Sequence, residues 1–320
     1  MAYRDVMTLA TVNFRAFWGK KDRNLARIKD YIIAAAKRGA DLIALPELAL
    51  TDYENQPDVP QAERMHCKLA ELVPGPSVTE VAEVTKQYGI YAVFGMVERD
   101  PEIPTKLYNI VAVCGPEGYI GKYRKIHPAN DENSWSSKGD EPLLFETPWG
   151  PVGVGICYDT YSFPELMRYY GAKGARLYVN STALGGLGKI TFDWKQCYFG
   201  SMEHQVVAND MFIVSSNLVG VDIQSEEFAN LMGDPTVPQF SYFAGASCIL
   251  GPGYKEKVHC YAGGTDYNEA DMFIATVDLS NASRMIFNKN PWGGQPDFRP
   301  KMYKKMAEDL LQDEYWQKYE

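Results

Sequence analysis

The chain has 320 residues, 46% of them hydrophobic, and a formal net charge of −9 at pH 7. This is enough apolar material for a large core, in one big domain or two ordinary ones, and the acidic balance argues against nucleic acid or an anionic membrane as partner. No run reaches the roughly 18 apolar residues of a membrane span, and the opening MAYRDVMTLATVNF lacks the basic and apolar regions of a secretory signal; the expectation is a cytoplasmic protein.

In chain order, residues 7–14 read as a strand rich in β-branched side chains. The segment Asp22–Arg38 then places Leu25, Ile28, Ile32 and Ala35 on one helical face closed by Gly39. Residues 41–50 form an apolar strand that meets Pro46 and Glu47. Residues 61–72 and 77–88 read as helices, 90–98 as a strand, and 107–126 as two strands around a Gly115–Gly118 turn. A hairpin over 142–159 leads through VGVGIC to Cys157. A helix at 164–171, a strand at 176–181, a helix near 192–209 and a strand at 211–217 follow. Strands near 246–250, 257–261 and 272–278 close the domain. Helices alternating with short buried strands predict a layered α/β fold, with a loose two-fold repetition. The charged, aromatic-rich tail from about Asn281 reads either as an arm on a neighbour or as a frayed surface helix.

The six cysteines (Cys67, Cys114, Cys157, Cys197, Cys248 and Cys260) show no C-x-x-C pairing and no clustering with histidine. That spacing suits reduced thiols rather than a disulfide framework or a metal site, and packing alone accounts for most of them. Three segments carry chemistry. L-P-E-L, K-Y-R-K-I-H-P and G-V-G-I-C-Y-D each end an apolar strand with a reactive side chain: Glu47, Lys125 and Cys157. Sites in layered α/β proteins gather beyond the carboxyl ends of strands. A carboxylate can take the thiol proton, and an ammonium can stabilise both the thiolate and an oxyanion.

In this order the three segments resemble the Glu-Lys-Cys signature of the nitrilase, or carbon–nitrogen hydrolase, superfamily. The likeness extends through S-K-G-D (137–140), F-P-E-L-M-R (163–168), M-E-H-Q-V-V-A-N-D-M-F-I-V-S-S-N (202–217), F-A-G-A-S-C-I-L-G-P (243–252) and T-V-D-L (276–279). It implies a four-layer α-β-β-α sandwich, with a hydrolase domain over residues 1–285 and a C-terminal extension over 286–320. It implies Glu47 as general base, Cys157 as nucleophile forming a thioester, and Lys125 with the Tyr158 backbone N–H as oxyanion holders. A second glutamate that positions substrate and lysine matches Glu132 best, with Asp131 and Glu141 as alternatives.

The loop after Cys157 is one residue longer than the commonest family spacing. N-S-T-A (180–183) replaces the proline and aromatic residue many members carry there. Tyr53, Trp135, Tyr158, Tyr161 and Asn180 are the candidate pocket walls. Tyr158-Asp159 after the nucleophile resembles amide- and ureido-hydrolysing branches. The implied reaction is hydrolysis of a small linear amide to acid and ammonia without cofactor or metal. Alternatives are an N-carbamoyl amine as substrate, acyl transfer to an acceptor other than water, or an inactive binding protein of the same fold. The resemblance also implies a homodimer or larger homo-oligomer. The Gly185–Gly188 run reads as a pocket loop rather than a nucleotide site. His127 reads as structural or pocket-lining rather than as a base, and Met202 and residues 240–243 as core.

Overall fold

The computed structural model describes residues 2–54, 59–185, 196–223, 240–264 and 269–319, in two units, Met1–Ala282 and Ser283–Glu320. The larger unit opens with β1 (Val6–Asn13), α1 (Lys21–Lys37), β2 (Leu42–Ala44), α2 (Met65–Leu69), α3 (Pro76–Tyr88), β3 (Tyr91–Arg99), β4 (Leu107–Gly115) and β5 (Gly118–Arg124). It continues with β6 (Leu144–Phe145), β7 (Val152–Ile156), α4 (Tyr158–Tyr161), α5 (Glu165–Ala172), β8 (Leu177–Thr182), α6 (Ser201–Asn209) and β9 (Phe212–Asn217). A small ribbon, β10 (Val221–Ile223) with β11 (Phe240–Tyr242), precedes β12 (Cys248–Gly251), β13 (His259–Gly263) and β14 (Asp271–Asp278).

Among the described residues, the strands form two six-stranded sheets, ordered β14-β1-β2-β3-β4-β5 and β13-β12-β9-β8-β7-β6. Each has a parallel trio at its centre, β1-β2-β3 in one and β7-β8-β9 in the other, flanked by antiparallel strands. This is the structural form of the two-fold repetition in the sequence.

Period-two alternation decides what each strand faces. In β4, Val111 and Val113 join the core between the sheets, whereas Ile110, Ala112 and Cys114 face the layer that holds Ile28 and Ile32 of α1 and Val78 and Val81 of α3. On the other sheet, Val152, Val154, Leu177 and Val179 join the core between the sheets, whereas Gly153, Gly155 and Tyr178 face Leu166 and Tyr170 of α5. The order helix, sheet, sheet, helix is the expected α-β-β-α sandwich. Each fully buried Ile, Leu or Val side chain contributes about 1.5–3 kcal/mol, and the charged residues of α1 and α3 fall on their outer faces.

Several elements differ from their sequence reading. The strand expected over 41–50 ends at Ala44, because Pro46 offers no N–H to the ladder and Leu48 takes a positive φ of 51°, which turns the chain out of the sheet. The helix expected at 61–72 is interrupted at Arg64, which is extended at ψ 146°, leaving a single 3₁₀ turn and the short α2. Residues 192–195 of the helix expected near 192–209, and 186–188 of the glycine-rich run, lie outside the described residues; the helix itself is π-type over Gln196–Gly200 before α6 begins. Met202 and Phe243 are buried as expected, but Tyr242 is 57% exposed. Among the described residues, no helix is long and apolar enough to cross a membrane. In the smaller unit, α7 (Pro300–Leu310) begins with proline at its first position, and Phe298 bridges Phe287 and Tyr303 at ring-centroid distances of 5.2 and 5.1 Å.

Candidate active site

Glu47 stands where the chain leaves β2. Gly95 of β3 lies directly under that turn, its N–H donating to the Pro46 carbonyl at 3.0 Å. A side chain there would meet backbone at once, since a Cβ would lie 2.2 Å from Leu48 N. The Glu47 side chain is fully buried. Its Oε1 accepts from Lys125 Nζ and from Asn109 Nδ2, both at 2.7 Å, and its Oε2 accepts from the Ala183 backbone N–H at 2.8 Å. Burial pushes its pKa above the usual carboxylate range, with Lys125 opposing the rise and Glu132 adding to it.

Lys125 follows β5 and is held in place through its backbone, whose N–H donates to the Asn109 carbonyl at 2.9 Å and whose carbonyl accepts from Gly139 N–H at 2.8 Å. Its Nζ sits between two buried carboxylates, 2.7 Å from Glu47 Oε1 and 2.6 Å from Glu132 Oε2. Burial disfavours the ammonium, but the Glu132 and Glu47 charges outweigh it and hold the pKa well above lysine's usual value. Glu132 Oε2 also accepts from the Ala129 backbone N–H at 2.9 Å and from Tyr53 Oη at 3.3 Å, and Asn109 Nδ2 reaches Glu132 Oε1 at 2.7 Å. One asparagine amide and one ammonium therefore join both carboxylates. Of the alternatives to Glu132, Glu141 is exposed and the Asp131 side chain lies outside the described residues.

Cys157 ends the β7 run at a sharp turn into α4, with φ 51° and ψ −104°. A non-glycine residue in that region is strained and persists only when its surroundings hold it. Its N–H donates to the Ser181 carbonyl at 3.0 Å and to Asn180 Oδ1 at 3.1 Å. Asp159 ties the turn to the lysine segment: Oδ1 accepts from the backbone N–H of His127 at 3.0 Å and lies 2.8 Å from His127 Nδ1, while Oδ2 accepts from Tyr123 Oη at 2.8 Å. The His127 ring stacks on Phe163 at 3.5 Å. Burial, then the Glu47 charge, push the Cys157 thiol pKa up, whereas Lys125 and a hydrogen bond from Thr182 pull it down. The Glu47 carboxylate, whose charge bears on the thiol, is the group placed to accept its proton.

The structure thus brings Glu47, Lys125, Glu132 and Cys157 together, and Tyr158 begins the helix after the nucleophile. The aromatic candidates divide. Tyr53 touches Glu132, and Tyr158 is 38% exposed against the edge of Phe163. Trp135 is buried in a separate small core with Leu48, Val97 and Leu107, its ring 4.4 Å from His66. Asn180 is fully buried beneath the nucleophile, its amide engaged by protein groups. The sequence reading did not single out Asn109 or Thr182, and it took Asp159 only as part of the Tyr158-Asp159 marker. The signal for Asn109 was an amide inside the apolar run LYNIVAVC, where a buried polar group needs a partner.

Comparison with known proteins agrees with this geometry. A family model described as carbon-nitrogen hydrolase matches residues 8–287. Omega-amidase NIT2 of Xenopus tropicalis is 38% identical over 169 residues, which is 50% of this chain and 57% of that protein. The chain therefore spans little more than half the length of that relative. Beta-ureidopropionase of Arabidopsis thaliana is 26% identical over 90% of this chain and 68% of its own length. Among solved structures, a mutant amidase from Nesterenkonia sp. AN1 superimposes with a TM-score of 0.69 at 18% identity, covering 93% of this chain and 96% of that one. That structure is described as showing covalent addition of the acetamide moiety of fluoroacetamide at the active site cysteine.

Proposed function

Because the chain belongs to the carbon-nitrogen hydrolase family, we propose that it hydrolyses a small linear amide to acid and ammonia through a thioester on Cys157. The observation that carries this reading is the Lys125 ammonium, buried between Glu47 and Glu132 beside a thiol on a strained turn. Glu47 takes the thiol proton as sulfur attacks the carbonyl carbon. Lys125 and the Tyr158 N–H receive the oxyanion. As the tetrahedral adduct collapses, Glu47 returns the proton to the leaving nitrogen and ammonia departs. Glu47 then takes a proton from water, which attacks the thioester; the thiolate is expelled, recovers that proton, and the acid leaves. Glu132 keeps the ammonium in place and offers a carboxylate to the substrate amide. Tyr53, Tyr158 and Tyr161 form walls of the acyl pocket.

The beta-ureidopropionase match, which runs over most of the chain, favours a second reading with an N-carbamoyl amine as substrate. A panel of linear carboxamides and N-carbamoyl amines separates the two. Amides give ammonia alone, whereas carbamoyl compounds give ammonia and carbon dioxide. Intact-mass measurement of the trapped acyl enzyme identifies the acyl group, and a chain that forms no adduct and releases no ammonia with any compound refutes both. We propose a cytoplasmic homodimer or larger homo-oligomer, the compartment supported by the scattered reduced cysteines and the assembly by the family.

A further inference from the structure

Four buried side chains close into a ring at the centre of the site. Lys125 Nζ lies 2.7 Å from Glu47 Oε1 and 2.6 Å from Glu132 Oε2. Asn109 Nδ2 completes the circuit, donating to Glu47 Oε1 and to Glu132 Oε1, each at 2.7 Å. The orientation of the amide follows from its neighbours: turned over, Oδ1 would face two carboxylates, and acceptor would meet acceptor. In the orientation the ring requires, Oδ1 is left buried and, among the described residues, without a hydrogen-bond partner. Native proteins rarely leave a buried polar atom unpaired. A side chain chosen for packing would be apolar here, since Val111 and Val113 on the same face of β4 belong to the core between the sheets. What the site gains from an amide at this position is its pair of donors.

We propose that Asn109 is a positioning residue for the reaction, holding Glu47 and Glu132 ionised together around one ammonium. The inference rests on Glu47 being the general base. Two carboxylates in one buried site repel, and a single lysine neutralises only one of them, so without further donors one carboxylate is driven to take up a proton. A second cation would balance the charge but would also make Glu47 a much weaker base. The amide brings two donors and no charge. One N–H to each carboxylate favours both ionised forms at less cost to the basicity of Glu47 than a full positive charge. The backbone of the same residue fixes the lysine: its carbonyl accepts from the Lys125 N–H at 2.9 Å, and its own N–H donates to Ser136 Oγ at 3.0 Å. Those bonds do not involve the side chain, so a substitution at 109 removes the two donors and leaves the lysine's anchor.

The test is the pH dependence of kcat and kcat/KM for the best linear amide, read as ammonia release, in wild type, Asn109→Leu and Asn109→Ser. The titratable groups that bear on Glu47 are Lys125, Glu132 and Cys157, and Tyr53 Oη touches Glu132; all four are kept in both variants. Leucine is close to asparagine in size and has no donor. Its acid limb is expected to move to higher pH by about one unit, with turnover on that limb falling about tenfold. The loss falls on kcat, and KM stays near the wild-type value. Serine, smaller than asparagine and with one short donor, shifts the limb in the same direction and carries the test if leucine does not fold. An acid limb that stays at the wild-type pH in the folded variants overturns the proposal while wild-type turnover stands, even where activity falls uniformly, because a merely structural role gives that result. A wild type that releases no ammonia from any amide sinks the general-base reading and this proposal with it. Circular dichroism melting confirms that each variant compared is folded.

Discussion

The carboxylate of Glu47 accepts a hydrogen bond from the backbone N–H of Ala183 at 2.8 Å, although Glu47 follows β2 of one sheet and Ala183 follows β8 of the other. A second tie runs beside it, from Ser181 Oγ to the Leu45 carbonyl at 2.8 Å. The proposed base is thus fixed by both layers of the sandwich, and its free rotation is lost before any substrate arrives. Such preorganisation is where general-base catalysis gains its efficiency.

Glu47→Gln keeps the shape and the contacts of the side chain but cannot take a proton. Turnover of the best amide substrate is expected to fall by roughly 10²–10⁴-fold. Steady-state ammonia release measures this, and a loss below tenfold would remove Glu47 from the base role. The raised pKa of Glu47 also sets a sign. The base works only when ionised, so the acid limb of kcat/KM lies above the range of an ordinary glutamate and activity rises with pH through it.

Gly95→Ala tests the turn without altering any proposed catalytic group. A Cβ would meet Leu48 N, Pro46 O and Glu47 C at 2.2, 2.4 and 2.6 Å, and backbone cannot swing aside as a side-chain tip can. The Glu47 turn must move. Stability should drop by about 1–3 kcal/mol in urea unfolding, with a larger proportional loss in kcat/KM.

Asp159→Asn replaces an acceptor with a donor amid groups that donate: the His127 and Ile156 backbone N–H groups and Tyr123 Oη. One of them is left facing an amide hydrogen. The expected cost is about 1–3 kcal/mol, and kcat should fall because the lysine segment and the nucleophile turn lose their common anchor. Urea titration and steady-state kinetics on the same preparation check both.

His66 gives a prediction about stability alone. It is fully buried against Trp135, with Nε2 3.0 Å from the Asp52 carbonyl, so Nε2 carries the proton of the neutral ring. Burial lowers its pKa from 6.5 to about 4. The unfolded chain therefore binds a proton below about pH 6.5 that the native state refuses until about pH 4. Stability present above pH 6.5 is lost as pH falls, by about 3 kcal/mol in full. Melting temperatures between pH 7 and pH 5 should show this slope in wild type and a flatter one in His66→Gln, which retains a donor for Asp52.

Much of this was legible before any coordinates. The strands at 7–14, 107–126 and 211–217 carry enough β-branched and apolar residues to fix type and near-boundaries, and Glu47, Lys125 and Cys157 announce themselves as reactive groups at strand ends. What the pattern could not convey is which polar side chains meet. Asn109 and Glu132 are 23 residues apart in sequence but 2.7 Å apart in space, and Asn180 reaches the Cys157 N–H only because β8 lies beside β7. The apolar run at 41–50 misled because hydrophobicity reports burial rather than extension; residues 45–50 are all buried, in a turn. Trp135, adjacent to the site in sequence, packs in its own small core because the chain leaves the 3₁₀ turn there, at φ −133°, and its ring meets His66.

The two ties between Glu47, Ser181 and the opposite layer have a consequence for the chain's early life. Residues 45–183 must all have been synthesised, and both layers docked, before the carboxylate and the thiol can meet. Until then Cys157 is an ordinary cysteine with an ordinary, unassisted reactivity. The onset of amide turnover during refolding is therefore a clock for the docking of the two layers rather than for the formation of either one.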